Sequence, residues 1–166
     1  MHIKLLDCLP PKMYHFDFLQ SMNSSITSIV LPDWTCNDLH YTIFDFSRFT
    51  RVESIEIGND CFESVQIFQI DGLNRLKTIK IGISSFTHSK NSNGNDSSKS
   101  FHILNCKSLK SIDIGEYSFS DFGGDFELMN LPQLQSIQIG TVGSDSYNFY
   151  SSSFVIRGIE LILNTE

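Results

Sequence analysis

The chain has 166 residues, 40% of them apolar, and a net charge of −7. That apolar share suffices for a folded core, while the acidic balance excludes a reader of nucleic-acid backbones, which needs a basic face, and an anionic membrane surface as partner. No apolar run approaches the roughly 18–20 residues needed to cross a bilayer, so no membrane insertion is expected.

Residues 1–25 read as an N-terminal flank or cap. Asp7, Pro10 and Pro11 interrupt the apolar stretch that an export signal needs; no signal peptide is legible, which favours the cytoplasm. A helical turn is predicted only near residues 13–22. From residue 26 to residue 166 one phrase recurs. Ile29-Val-Leu31 closes its first copy before Pro32. The next runs from Phe44 through Phe46, Phe49, Val52, Ile55 and Ile57 to Gly58. Full copies follow at Phe68 to Gly82, Phe101 to Gly115 and Phe126 to Gly140, and a further one opens at Phe154 and continues through Ile156 and Ile159 to Ile162. The anchors Ile26, Val52, Leu76, Leu109 and Leu134 recur about every 25 residues, except across the interval from Leu76 to Leu109. That longer interval contains residues 87–100, which carry no apolar side chain and are predicted to form a mobile surface insertion. A milder insertion covers residues 144–153.

Each copy holds a period-two segment (Ile55-Glu-Ile57, Ile79-Lys-Ile81, Ile112-Asp-Ile114, Ile137-Gln-Ile139) that predicts a half-buried strand. Phe68-Gln-Ile70 and its counterparts predict a second extended segment. A lone unit buries too little apolar surface to offset its ordering entropy, so neighbouring units must stack. The fold class is therefore mostly β, a solenoid with parallel strands and few or no helices.

The segments Leu76-Lys-Thr-Ile79-Lys-Ile81 and Leu109-Lys-Ser-Ile112-Asp-Ile114 resemble the core of leucine-rich repeats. The tails Ile81-Gly82-Ile-Ser-Ser85-Phe86 and Ile114-Gly115-Glu-Tyr-Ser118-Phe119, with the lead-in Asn105-Cys106-Lys-Ser-Leu109, resemble the BspA-like branch of that family. The resemblance covers residues 26–162. It implies a leucine-rich-repeat solenoid that binds proteins or surface glycans. Where many such repeats carry an inward Asn, this chain has Trp34, Asp60, Ser84, Tyr117 and Val142, so a regular asparagine ladder is not expected.

In a parallel stack the residues between the core isoleucines align as outward columns. One column is Ser28, Ser54, Thr78, Ser111 and Ser136; the other is Val30, Glu56, Lys80, Asp113 and Gln138, with Glu56, Lys80 and Asp113 alternating in sign. The partner-binding candidates are Ser54, Glu56, Thr78, Lys80, Ser111, Asp113, Ser136 and Gln138. The same columns also fit a solvated strand face that binds nothing. The column Asp45, Gln69, His102, Glu127 and Val155 is mixed. Tyr147, Phe149 and Tyr150 fall off the repeat columns and read either as a partner anchor or as packing on the end of the solenoid. Cys106 takes the place of a core Leu, and Cys36 and Cys61 stand near enough in the repeat for a disulfide to be conceivable.

No nucleophile elbow or metal-ligand spacing is present; Asp121 and Asp125 lack the alternating oxygens of a calcium loop. Asn23-Ser-Ser25 and Asn95-Asp-Ser97 match the glycosylation acceptor pattern. No catalytic residue, metal or cofactor is assigned. The expected function is a non-enzymatic protein-interaction module. The alternatives are a structural or self-associating segment of a longer array, joined end to end, or a surface adhesion protein.

Overall fold

In the computed structural model, residues 2–4, 26–88, 96–141 and 145–159 are described. The β-branched doublets become strands because alternate side chains leave opposite faces of an extended backbone. Among the described residues eleven strands form: β1 (His2–Lys4), β2 (Ser28–Leu31), β3 (Ile43–Asp45), β4 (Ser54–Ile57), β5 (Ile67–Asp71), β6 (Thr78–Ile81), β7 (Ser100–Leu104), β8 (Ser111–Ile114), β9 (Asp125–Met129), β10 (Ser136–Ile139) and β11 (Ser153–Arg157). Among the described residues there is no helix. Strands β1-β2-β4-β6-β8-β10 make one sheet and β11-β9-β7-β5-β3 the other. All pairings are parallel, so the chain is a β-solenoid in which each full coil gives one strand to each sheet.

The register follows the sequence anchors. Ile29, Ile55, Ile79, Ile112 and Ile137 are successive Cα partners in the six-stranded sheet. Phe44, Phe68, Phe101, Phe126 and Phe154 are successive partners in the other. β1 pairs with β2, so residues 2–4 add a strand to the six-stranded sheet; the remainder of 1–25, with the turn expected near 13–22, lies outside the described residues.

Two aromatic ladders fill the space between the sheets. Phe44, Phe68, Phe101 and Phe126 stack with centroids 4.7, 4.5 and 4.9 Å apart. Phe62, Phe86, Phe119 and Phe149 stack at 4.9, 4.8 and 4.9 Å. The ladders meet edge to face, as at Phe68–Phe86 (5.2 Å, 86°) and Phe101–Phe119 (5.1 Å, 83°), the arrangement that ring quadrupoles favour. Phe149 therefore belongs to the repeat and is 2% exposed; it is no partner anchor. The extra residues after Gly140 displace it along the sequence but not in space. The same displacement makes Tyr147 the counterpart of Tyr117: both have positive φ, and Tyr117 N–H donates to Ser146 O at 2.8 Å; Val142 lies outside the described residues.

The corner after each six-stranded-sheet strand is turned by two left-handed residues flanking a third: Trp34 and Cys36, Asp60 and Phe62, Ser84 and Phe86, Tyr117 and Phe119, Tyr147 and Phe149. Most of the residues between them are small: Thr35, Cys61, Ser85, Ser118 and Asn148. From Cys61 on, their side chains donate to a carbonyl of the preceding coil: Cys61 to Pro32 (3.2 Å), Ser85 to Gly58 (2.8 Å), Ser118 to Gly82 (2.6 Å) and Asn148 to Gly115 (2.8 Å). Small side chains thus form a hydrogen-bonded ladder along this corner. The glycines at this corner let backbone lie on backbone. A Cβ on Gly115 would sit 2.6 Å from the Gly82 carbonyl.

The apolar-free insertion is tied down by polar contacts at both described ends. Thr87 is buried, with its hydroxyl 2.8 Å from that of Ser120. Lys99 is buried too, and its ammonium lies 2.8 Å from Asp121 Oδ2 and 5.6 Å from the Phe122 ring centre. Ser100 opens β7. Residues 89–95 lie outside the described residues.

Candidate interaction face

The outward side chains of the six-stranded sheet form two columns set by backbone register. Ser54, Thr78, Ser111 and Ser136 are successive partners, as are Glu56, Lys80, Asp113 and Gln138. Ser28 heads the first column, buried, with its hydroxyl 2.8 Å from Ser54 Oγ. Along the column, Ser54 and Ser111 are half-buried, and Thr78 and Ser136 are exposed. Glu56, Lys80, Asp113 and Gln138 are all exposed. The eight candidate residues thus share one polar strand face.

The expected sign alternation gives one ion pair in this column, Lys80 to Glu56 at 3.8 Å; none joins Lys80 to Asp113. Both partners of that pair are more than half exposed, so water screens it and it adds little to stability. Asp113 is left to solvent. A second pair stands one residue before the strands, where Lys77 meets Glu53 at 2.7 Å. Its hydrogen bond to Lys77 holds the Glu53 carboxyl below the usual range. Sequence reading missed this pair, although both residues immediately precede registered Ser and Thr positions.

On the five-stranded sheet, the mixed column brings His102 Nδ1 to 3.2 Å from Glu127 Oε2, with Gln69 as the next neighbour. Their side chains are about three-quarters covered, with 22% and 24% left exposed. Tyr117, Tyr147 and Tyr150 form a chain of rings with centroids 6.0 and 6.3 Å apart, and Tyr150 is 67% exposed.

Among the described residues the cysteines are disulfide-bonded or buried. Cys36 is disulfide-bonded and Cys61 is free, so the two are not joined to each other. Burial pushes the Cys106 thiol up to about 11 and raises that of Cys61, against an opposing hydrogen bond from Thr35. A protonated, buried thiol is inert. Asp121 is engaged by Lys99 and the His88 N–H, whereas Asp125 is exposed at the start of β9. Among the described residues no three His, Cys, Asp or Glu side chains are grouped to hold a metal, and no helix is long and apolar enough to cross a membrane. Asn23 and Asn95 lie outside the described residues.

Comparison with protein-family models, with curated proteins and with solved structures returned no match. The repeat architecture therefore rests on the chain's own register.

Proposed function

We propose that the chain is a non-enzymatic interaction module of the leucine-rich-repeat kind, similar to the BspA-like branch, that binds a partner protein through the outward face of its six-stranded sheet. One observation carries the reading: Ser54, Glu56, Thr78, Lys80, Ser111, Asp113, Ser136 and Gln138 stand in two registered columns on one polar face. Short hydroxyls let a partner approach closely, and the charges beside them set its orientation. The Leu-x-x-Ile-x-Ile segments that lead into β6 and β8 support the family assignment. The test is a double reversal, Lys80→Glu with Asp113→Lys. It should abolish partner capture from the native source while leaving the circular dichroism spectrum and melting temperature in place. Undiminished capture would show that another surface binds.

A second reading, end-to-end stacking on another copy or within a longer array, is supported by a different observation. On the last described coil the core columns stand open, with Ile137 40%, Phe154 53% and Ile156 52% exposed. Sedimentation over a range of concentrations should then show association, and a clean monomer at high concentration would count against it. The disulfide at Cys36 fits an oxidising compartment, the setting that the adhesion alternative requires.

A further inference from the structure

The corners that lead from the five-stranded to the six-stranded sheet are residues 46–53, 72–77, 105–110 and 130–135. They concentrate cations in a chain whose net charge is −7. Arg48, Arg51, Arg75, Lys77, Lys107 and Lys110 are all exposed there, and Glu53 is the only acid in these segments. The opposite corners, described within 32–42, 58–66, 82–88, 96–99, 115–124 and 145–152, hold one cation among the described residues, Lys99, which is buried and paired with Asp121.

Backbone bonds fix the stacking. Lys77 N–H donates to Glu53 O, Lys110 N–H to Lys77 O, and Gln135 N–H to Lys110 O, at 2.8, 2.8 and 2.9 Å. Lys77 and Lys110 are therefore like charges on adjacent coils, as are Arg51 and Arg75 two positions earlier, and directly opposed like charges destabilise a sheet. Lys77 spends its charge on Glu53; Arg51, Arg75, Lys107 and Lys110 form no ion pair among the described residues. Glu53 is the one acid in these segments to offset the cations, and a bound anion would relieve the rest.

The strip is short and bounded. Its neighbouring positions are Thr27 on one side and Gln133 and Gln135 on the other, so the charge spans three coils at about 4.8 Å per step. A polyanion that gains affinity through length, such as a nucleic acid or sulfated glycan, finds too few cations here. An extended peptide places same-side residues roughly 6.6–6.8 Å apart, so about two or three carboxylates fit.

We propose that this strip docks a short acidic peptide segment of the protein partner, beside the six-stranded face. The proposal rests on the protein-partner reading, but its test does not use the partner. Fluorescein-labelled hexaglutamate, a heparin hexasaccharide and a hexathymidylate are titrated into the full chain at low and at moderate salt. Saturable, salt-weakened binding of hexaglutamate is expected, reduced about tenfold or more by Arg75→Glu with Lys110→Glu. Lys80→Glu with Asp113→Lys should leave it unchanged, so failure of the face reading and failure of this one give different results. Absence of hexaglutamate binding, equal binding by the Arg75→Glu, Lys110→Glu variant, or preference for the glycan or the nucleotide would overturn the proposal.

Discussion

The Ser118 hydroxyl satisfies two backbone groups of the coil before it: it accepts from Ser85 N–H at 2.9 Å and donates to Gly82 C=O at 2.6 Å. Ser118→Ala orphans both in the interior and should cost about 1–3 kcal/mol, read as a lower urea midpoint. Thr78→Ala, on the exposed face, should stay within about 0.5 kcal/mol; equal losses would remove the ladder from the account. Cys106 supplies a pH signature. Its folded thiol titrates near 11 against about 8.5 in an unfolded chain, so the native state keeps a proton that the unfolded state releases. Its contribution is present below about pH 8.5 and is lost as pH rises through about 11; Cys61, also raised, acts in the same direction. Cys106→Val should therefore lose less stability than the parent between about pH 8 and 10.5 in urea titrations. Identical losses would contradict this. The burial of Cys106 was legible from the core column it shares with Leu73 and Leu131. The hydroxyl ladder was not, because Ser85 and Ser118 look like surface residues until the next coil is laid on them.

At the level of elements, the aromatic ladders and the insertion divide the legible from the illegible. The first ladder opens every repeat phrase, so Phe68, Phe101 and Phe126 were readable as one column. The second was readable only through the Ser-Phe tails, and Phe149 slipped because extra residues separate it from Gly140. Phe119 touches rings of both ladders, and Phe119→Ala should cost about 3–5 kcal/mol. Phe154→Ala, half exposed on the last described coil, should cost much less by the same denaturation assay. The contacts at the ends of the insertion were not legible for a physical reason. Composition measures apolar burial, whereas Lys99 is held by charge: its ammonium meets Asp121 in a nearly closed site. Lys99→Met strands a buried carboxylate and should destabilise by about 3–5 kcal/mol. Adding Asp121→Leu should restore most of that loss. No recovery in the double variant would mean that the pair does not hold the insertion.

For the whole molecule, one operation produces everything described: each coil repeats the last in register, displaced by a strand spacing. The candidate face was legible in sequence because period two and the Leu and Ile anchors fix which residues face outward. The basic corner was not, because the overall charge of −7 conceals it and its members meet only across coils. The longest sequence interval, between β6 and β8, is where register would most easily fail. Disulfide trapping probes it directly. Lys80 and Asp113 are partners, so their Cα atoms lie about 4.8 Å apart, within the roughly 7 Å that a disulfide spans, whereas Lys80 and Ser111 are offset by two residues. Lys80→Cys with Asp113→Cys should cross-link readily in the folded protein, and Lys80→Cys with Ser111→Cys should not. A link in the offset pair, or none in the matched pair, would contradict the stacked register.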